Sequence, residues 1–151
     1  VPWLVQWKGH LPAGQTYDQP VIQLDIAPTA FAACGLEKPA SAQWEGVNLL
    51  PFFKGEKKEA PHQGLYWRFG QQMAIRQGDW KLVEAPGSTG RELYNLKDDI
   101  GEKNNLASSQ PEKLKELEAT WNDWNKQNID PQWGKAKAAA QSGDATLRKE
   151  R

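Results

Sequence analysis

Apolar positions follow two different periods along this chain, and the change of period divides it. Between residues 65 and 93 the period is two. Leu65, Trp67 and Phe69 alternate with Tyr66 and Arg68, Met73 and Ile75 with Ala74 and Arg76, Trp80 and Leu82 with Lys81 and Val83, and Leu93 follows Glu92. Successive side chains of a strand point to opposite faces, so this pattern predicts strands. Gly70, the Gly78-Asp79 pair and the loop from Pro86 to Gly90 separate the runs as hairpin connections do. The expectation is a four-stranded antiparallel meander. Within its first strand, Trp67 shares a face with Leu65 and Phe69 and is expected in the core, whereas Arg68 on the opposite face is freer to meet a ligand.

Downstream the period lengthens. Leu114, Leu117, Trp121 and Trp124 fall on one face of a helix, with Pro111 in its first turn and Ser109 and Glu112 spaced as a capping box. That stripe is expected to cover one side of the sheet. Upstream, Trp3 to Trp7 is aromatic and β-branched enough for a strand, closed by Gly9, Pro12 and Gly14. A second apolar run, Val21 to Leu24, leads to Asp25 at the N-cap position of a short buried helix through Ala33, with Gly35 placed for a left-handed C′ residue. Val47, Leu49, Leu50, Phe52 and Phe53 form an apolar patch suited to docking on a neighbour, and Lys54 to Glu59 reads as an exposed linker. The boundary falls there, giving residues 1–55 and 56–151. Beyond Trp133 the Lys-, Ala- and Gln-rich sequence predicts a marginal helix or a surface tail.

Charge narrows the range of functions. The 151 residues carry 19 Lys and Arg against 19 Asp and Glu, so no whole-chain field attracts nucleic acid or an anionic membrane. No apolar run approaches the roughly 20 residues of a membrane-spanning helix. Eight tryptophans are many for this length and point to cores and interfaces. The opening Val1-Pro2-Trp3 has neither a start methionine nor a basic-then-apolar leader, and reads as the interior of something longer.

Candidate chemistry is sparse. Cys34 lies within an apolar stretch that disfavours a thiolate, and reads as buried and structural. Asp98-Asp99 sits in a turn with no histidine or third carboxylate at ligand spacing, so no metal site is expected. His10 reads as an exposed loop residue. His62 precedes the meander and reads as a surface-loop residue that could face a neighbouring pocket. With no phosphate loop, nucleophile elbow or zinc motif, the chain has no expected catalytic residue.

Several segments, in order, resemble the C-terminal third of type I sulfatases, the formylglycine-dependent enzymes of the alkaline-phosphatase superfamily. Val1 to Gly9 with Leu11-Pro12-Ala13-Gly14 is similar to a strand of that family, Leu24-Asp25-Ile26-Ala27-Pro28-Thr29 to a helix start, and Trp44 to Pro51 to the segment that follows. Ala74 to Leu82 resembles its Arg-x-Gly-Asp-Trp-Lys-Leu hairpin. Glu92-Leu93-Tyr94-Asn95-Leu96, with Asp99 and Asn105-Leu106-Ala107, resembles its Leu-Tyr-Asp-Leu signature, with Ile100 where proline is common. Together these cover residues 1 to about 125.

The resemblance implies an α+β chain: the end of an α/β alkaline-phosphatase-like domain, then a small four-stranded antiparallel sheet packed against a C-terminal helix. It implies a parent sulfuric ester hydrolase acting on sulfated carbohydrate or aryl sulfate, exported to the periplasm or beyond, whose formylglycine and calcium belong to a missing N-terminal catalytic domain. Cys34 does not match the formylglycine motif, so the chain alone is expected to be inactive. Its small subdomain would contribute to the substrate-pocket rim, with His62, Tyr66, Trp67 and Arg68 as candidate contacts, since a guanidinium fork suits a sulfate and a ring stacks on a sugar. Two further readings remain open: a carbohydrate-binding module using exposed tryptophans, and a protein-interaction domain docking through an exposed Trp121 and Trp124.

Overall fold

A computed structural model describes residues 2–129, so the tail expected beyond Trp133 lies outside the described residues. The chain forms two compact units that meet in sequence at Gln63 and Gly64. No helix among the described residues is long and apolar enough to cross a membrane.

In the first unit a 3₁₀ turn at Gln23–Asp25 leads directly into α1, Ile26–Ala33. Pro28, which has no N–H, is tolerated in the first helical turn because a backbone N–H there would find no intrahelical acceptor. The helix closes in a Schellman motif. Gly35 takes φ 69°, its N–H donates to Ala32 O, and Leu36 N–H reaches back to Phe31 O. Only Pro28 and Thr29 of α1 are buried, and Cys34 at its C-cap is exposed, so the expectation of a buried cysteine is corrected. The apolar patch becomes α2, Leu50–Phe53, with Leu49, Leu50 and Phe52 buried. Phe53 takes edge-on contacts from Trp3 and Tyr17.

Trp3 to Trp7 is not a strand. Residues 2–7 have no regular structure, Leu4 is 94 % exposed, and the segment ends in a turn in which His10 and Leu11 donate to Trp7 O. A strand exists only through its ladder, and no described segment pairs with this one.

The second unit is the expected meander. β1 (Leu65–Phe69), β2 (Gln72–Gln77), β3 (Trp80–Glu84) and β4 (Glu92–Asn95) pair antiparallel in chain order. Both two-residue hairpins, Gly70-Gln71 and Gly78-Asp79, begin with a glycine at positive φ, 59° and 58°, as a type II′ turn requires. α3, Pro111–Asn125, lies across one face. Its Leu117 and Trp121 join Met73, Ile75, Leu82 and Leu93 in the core, with Leu114 and Trp124 packed at the margin. Burying each such side chain contributes about 1.5–3 kcal/mol, which makes the helix decisive for a small sheet.

Two local expectations are corrected. Register sets the row Tyr66, Ile75, Leu82, Leu93 under the helix, so β1 turns Tyr66 and Arg68 inward and leaves Trp67 and Phe69 on the other face, 36 % and 73 % exposed. Trp67 is therefore not core. Both faces of this edge strand carry aromatic residues, so alternation alone does not choose between them, and the continuous apolar row does. Nor do Ser109 and Glu112 form a capping box. Gln110 is the N-cap, which moves Glu112 to the second helical position, one short of the box; Ser109 Oγ donates to Leu106 O instead.

Candidate functional site

Among the described residues the most enclosed charged side chain is that of Asp25, which has no exposed surface. Asp25 is the residue before α1, yet its side chain does not cap that helix. Oδ2 accepts the Ile22 N–H at 2.9 Å, Oδ1 accepts the Val47 N–H at 2.9 Å, and His62 Nε2 lies 2.9 Å from both oxygens. Burial of an ionised carboxylate is costly unless it is paired and hydrogen-bonded, and these donors meet that requirement. Nε2 has two acceptors within reach, so it is the nitrogen that carries the hydrogen. The His62 side chain is only 11 % exposed, which corrects the surface-loop reading.

One helical turn on, Thr29 Oγ1 accepts the Leu49 N–H at 3.0 Å and donates to Val47 O at 3.4 Å. Asp25 and Thr29 together hold residues 47 to 49 against α1. Between them Gly46 lies so close to the Leu24 carbonyl that a methyl group there would collide with its oxygen, so only glycine fits.

The second unit has a matching arrangement around β4. Asn105 Oδ1 accepts the N–H groups of Leu93 and Ala107, and Leu106 N–H donates to Leu93 O at 2.8 Å, so the loop covers the free edge of the strand. Asp99 Oδ2 closes the preceding turn by accepting from Lys103 and Asn104 at 2.8 and 2.7 Å. Lys81 reaches from β3 to both oxygens of Glu102, at 2.6 and 2.7 Å. Tyr94, buried beside it, has its phenol pushed above the usual tyrosine range by that burial and then by the Glu92, Glu102 and Asp99 carboxylates, Glu92 also accepting its hydrogen bond.

The four residues expected at a pocket rim are used unequally. His62, in the first unit, is committed to Asp25. Tyr66 stacks on Trp124, with ring centroids 5.1 Å apart and 12° between planes. Arg68 Nη1 donates to Asn125 Oδ1 at 2.8 Å and to Ile129 O at 3.4 Å. Trp67, on the opposite face of β1 from Tyr66 and Arg68, keeps its ring accessible while its carbonyl accepts the Trp121 indole N–H.

Sequence reasoning missed the Asp25–His62 pair. Nothing in two residues 37 apart announces it, although an aspartate serving a helix N-terminus and a nearby histidine were both visible. Among the described residues, no three His, Cys, Asp or Glu side chains gather in a group that could hold a metal ion.

These stitched positions are the ones that carried the resemblance, and comparison with known proteins bears on that directly. Residues 1–127 match the family model described as N-sulphoglucosamine sulphohydrolase, C-terminal. The chain belongs to this sulfatase C-terminal family. It is similar to the uncharacterized sulfatase YdeN of Escherichia coli K12, 26 % identical over 155 residues that take in 78 % of this chain and 27 % of that protein. It is also similar to N-acetylgalactosamine-6-sulfatase of Sus scrofa, 35 % identical over 53 % of this chain and 15 % of that one. Among solved structures, Ps i-CgsB in complex with k-i-k-neocarrahexaose aligns with a TM-score of 0.72 at 27 % identity, over 94 % of this chain and 33 % of that one. The chain thus spans about a quarter to a third of the length of YdeN and Ps i-CgsB. In this sulfatase C-terminal chain, Asp25, Thr29, Gly46, Lys81, Asp99 and Asn105 act within the fold, by hydrogen bonding or close approach.

Proposed function

We propose that this chain is the C-terminal part of a sulfuric ester hydrolase acting on a sulfated carbohydrate or an aryl sulfate, and that it performs no chemistry by itself. The observation that carries the reading is the family match over residues 1–127, joined to the use of the family-marking polar residues as internal ties. Nucleophile, base and charge stabiliser must converge on one reacting atom, and among the described residues Asp25, Thr29, His62, Lys81 and Asn105 are already bonded within the fold. Formylglycine and calcium belong, in this reading, to an N-terminal catalytic domain that completes the enzyme, and the whole protein works in the periplasm or outside the cell. A carbohydrate substrate is supported by the likeness to Ps i-CgsB, a structure solved with k-i-k-neocarrahexaose. Docking of a protein partner through the tryptophan stripe loses its basis, because Trp121 is buried and Trp124 is packed against the core.

The test compares this chain with a protein extended upstream to its natural start and co-expressed with a formylglycine-generating enzyme, both assayed on p-nitrophenyl sulfate with calcium. Hydrolysis by the extended protein alone is expected. Hydrolysis by the short chain would overturn the non-catalytic role. Hydrolysis by neither, with sugar binding by the short chain, would make it a binding module.

A further inference from the structure

We propose that His62 is a latch: its hold on Asp25 closes residues 58–61 into a strap on the first unit, and its release lengthens the free chain ahead of β1. Every contact involved lies inside that unit, which ends at Gln63. The chain leaves α2 under restraint, because the Glu56 and Lys57 N–H groups both donate to Pro51 O, at 2.8 and 3.2 Å. Lys57 also lies over the Phe52 ring, 5.5 Å from its centroid. Past Lys57 the restraint stops. Residues 58–60 are exposed, the Lys58 N–H turns to the neighbouring Glu59 carboxylate, and Glu59 meets Lys57 only at 3.9 Å between two exposed side chains. Such a pair contributes little in water. Among the described residues, the next directed bond from this stretch into the unit is the one His62 makes with Asp25.

That bond has the properties of a catch. Asp25 is fully buried and the His62 ring nearly so, and a hydrogen bond to a carboxylate in such surroundings is stronger than one in water and falls off steeply with misalignment. The carboxylate also accepts the Ile22 and Val47 N–H groups, and these bonds do not pass through the imidazole. The dependence is therefore one-way: the strap needs Asp25, whereas the tie from Asp25 to Val47 does not need His62. With the latch closed, two residues, Gln63 and Gly64, separate His62 from Leu65 of β1, a reach of at most about 7 Å. With it open the free run is residues 58–64, which can span about 25 Å. One side-chain bond thus sets how much slack the covalent connection to the second unit has.

Native-state proteolysis of the full-length protein tests the latch, with trypsin cleavage after Lys57 and Lys58 timed by fragment mass, beside hydrogen exchange at the Val47 and Leu49 amides that Asp25 and Thr29 hold. His62→Ala is expected to speed the two strap cuts about tenfold, as loss of one bond to a charged group implies, and to leave protection at Val47 and Leu49 at the wild-type level. His62→Gln, whose side-chain amide nitrogen can donate to the same oxygens, recovers part of the resistance. Asp25→Asn speeds the strap cuts and also lowers protection at Val47, and adding His62→Ala to it brings little further acceleration, because both substitutions remove one contact. Strap cuts in His62→Ala that keep the wild-type rate overturn the latch, since something other than this bond then holds residues 58–61. Faster cuts accompanied by an equal loss of protection at Val47 and Leu49 overturn it too, since the first unit then opens as a whole.

Discussion

The first unit keeps a carboxylate, Asp25, as fully from solvent as the second keeps Ile75, Leu82 and Leu93. The difference follows from what each stretch of sequence offers. The second unit has an alternating sheet and a striped helix, so its apolar side chains can meet in one layer, and apolar attraction is non-directional. The first has one two-turn helix, one single-turn helix and long irregular connections. Its buried carboxylate and hydroxyl fix residues 47 to 49 with directed bonds instead. Directed bonds specify one geometry, and losing one partner leaves the others buried and unsatisfied. The two units should therefore fail in different ways.

Removing the ring at Trp121 is expected to have the largest effect. Trp121→Ala opens a cavity between α3 and the sheet and frees the Trp67 carbonyl, and should cost about 3–5 kcal/mol. Urea unfolding followed by far-ultraviolet circular dichroism measures it. A cost below 1 kcal/mol, in the range of an ordinary surface change, would mean that α3 is not what stabilises the meander.

Next is Asp25→Asn, nearly identical in shape. The amide places a donor where the carboxylate faced only donors, so one of Ile22 N–H, Val47 N–H and His62 Nε2 loses its acceptor. The expected cost is about 2–3 kcal/mol, read by hydrogen exchange as lost protection at the Ile22, Val47 and Leu49 amides. Unchanged protection there would show that apolar contacts of Leu49 and Leu50 hold the segment, and the contrast between the units would collapse. Asn105→Ala makes the parallel test in the second unit. It unties the loop from β4 but leaves the core intact, so about 1–2 kcal/mol is expected.

The second unit was the more legible in sequence for the same reason that it is differently built. A period of two and a helical stripe announce a layered core, and the meander, its turns and the face of α3 all follow from them. The face of β1 did not follow, because Leu65, Tyr66, Trp67 and Phe69 make both sides apolar and only register decides. In the first unit little beyond α1 and its Gly35 cap was visible. Asp25 was read as a cap because the local sequence around it is a cap sequence, whereas its acceptors serve residues 22, 47 and 62. Polar ties between distant residues leave no period. Resemblance to a family identified the segments that matter, and the hydrogen bonds explain why those residue types stand there.

The smallest expected effect concerns Tyr94 at high pH. Burial, with the carboxylates around it, holds its phenol above the usual value of about 10. The folded state thus binds this proton more tightly than the unfolded chain does. Its contribution to stability is complete below pH of about 10 and is lost as pH rises through the folded value. Tyr94→Phe removes that proton and with it this part of the alkaline slope, so its stability should fall less steeply above pH of about 10 than that of the wild type. Ultraviolet difference titration should also lose a late phenolate component while the one from Tyr17, which burial and Glu59 likewise raise, persists. An unchanged alkaline slope would mean that Tyr94 ionises equally easily folded or unfolded, and that the β4 edge admits solvent more freely than its hydrogen bonds imply.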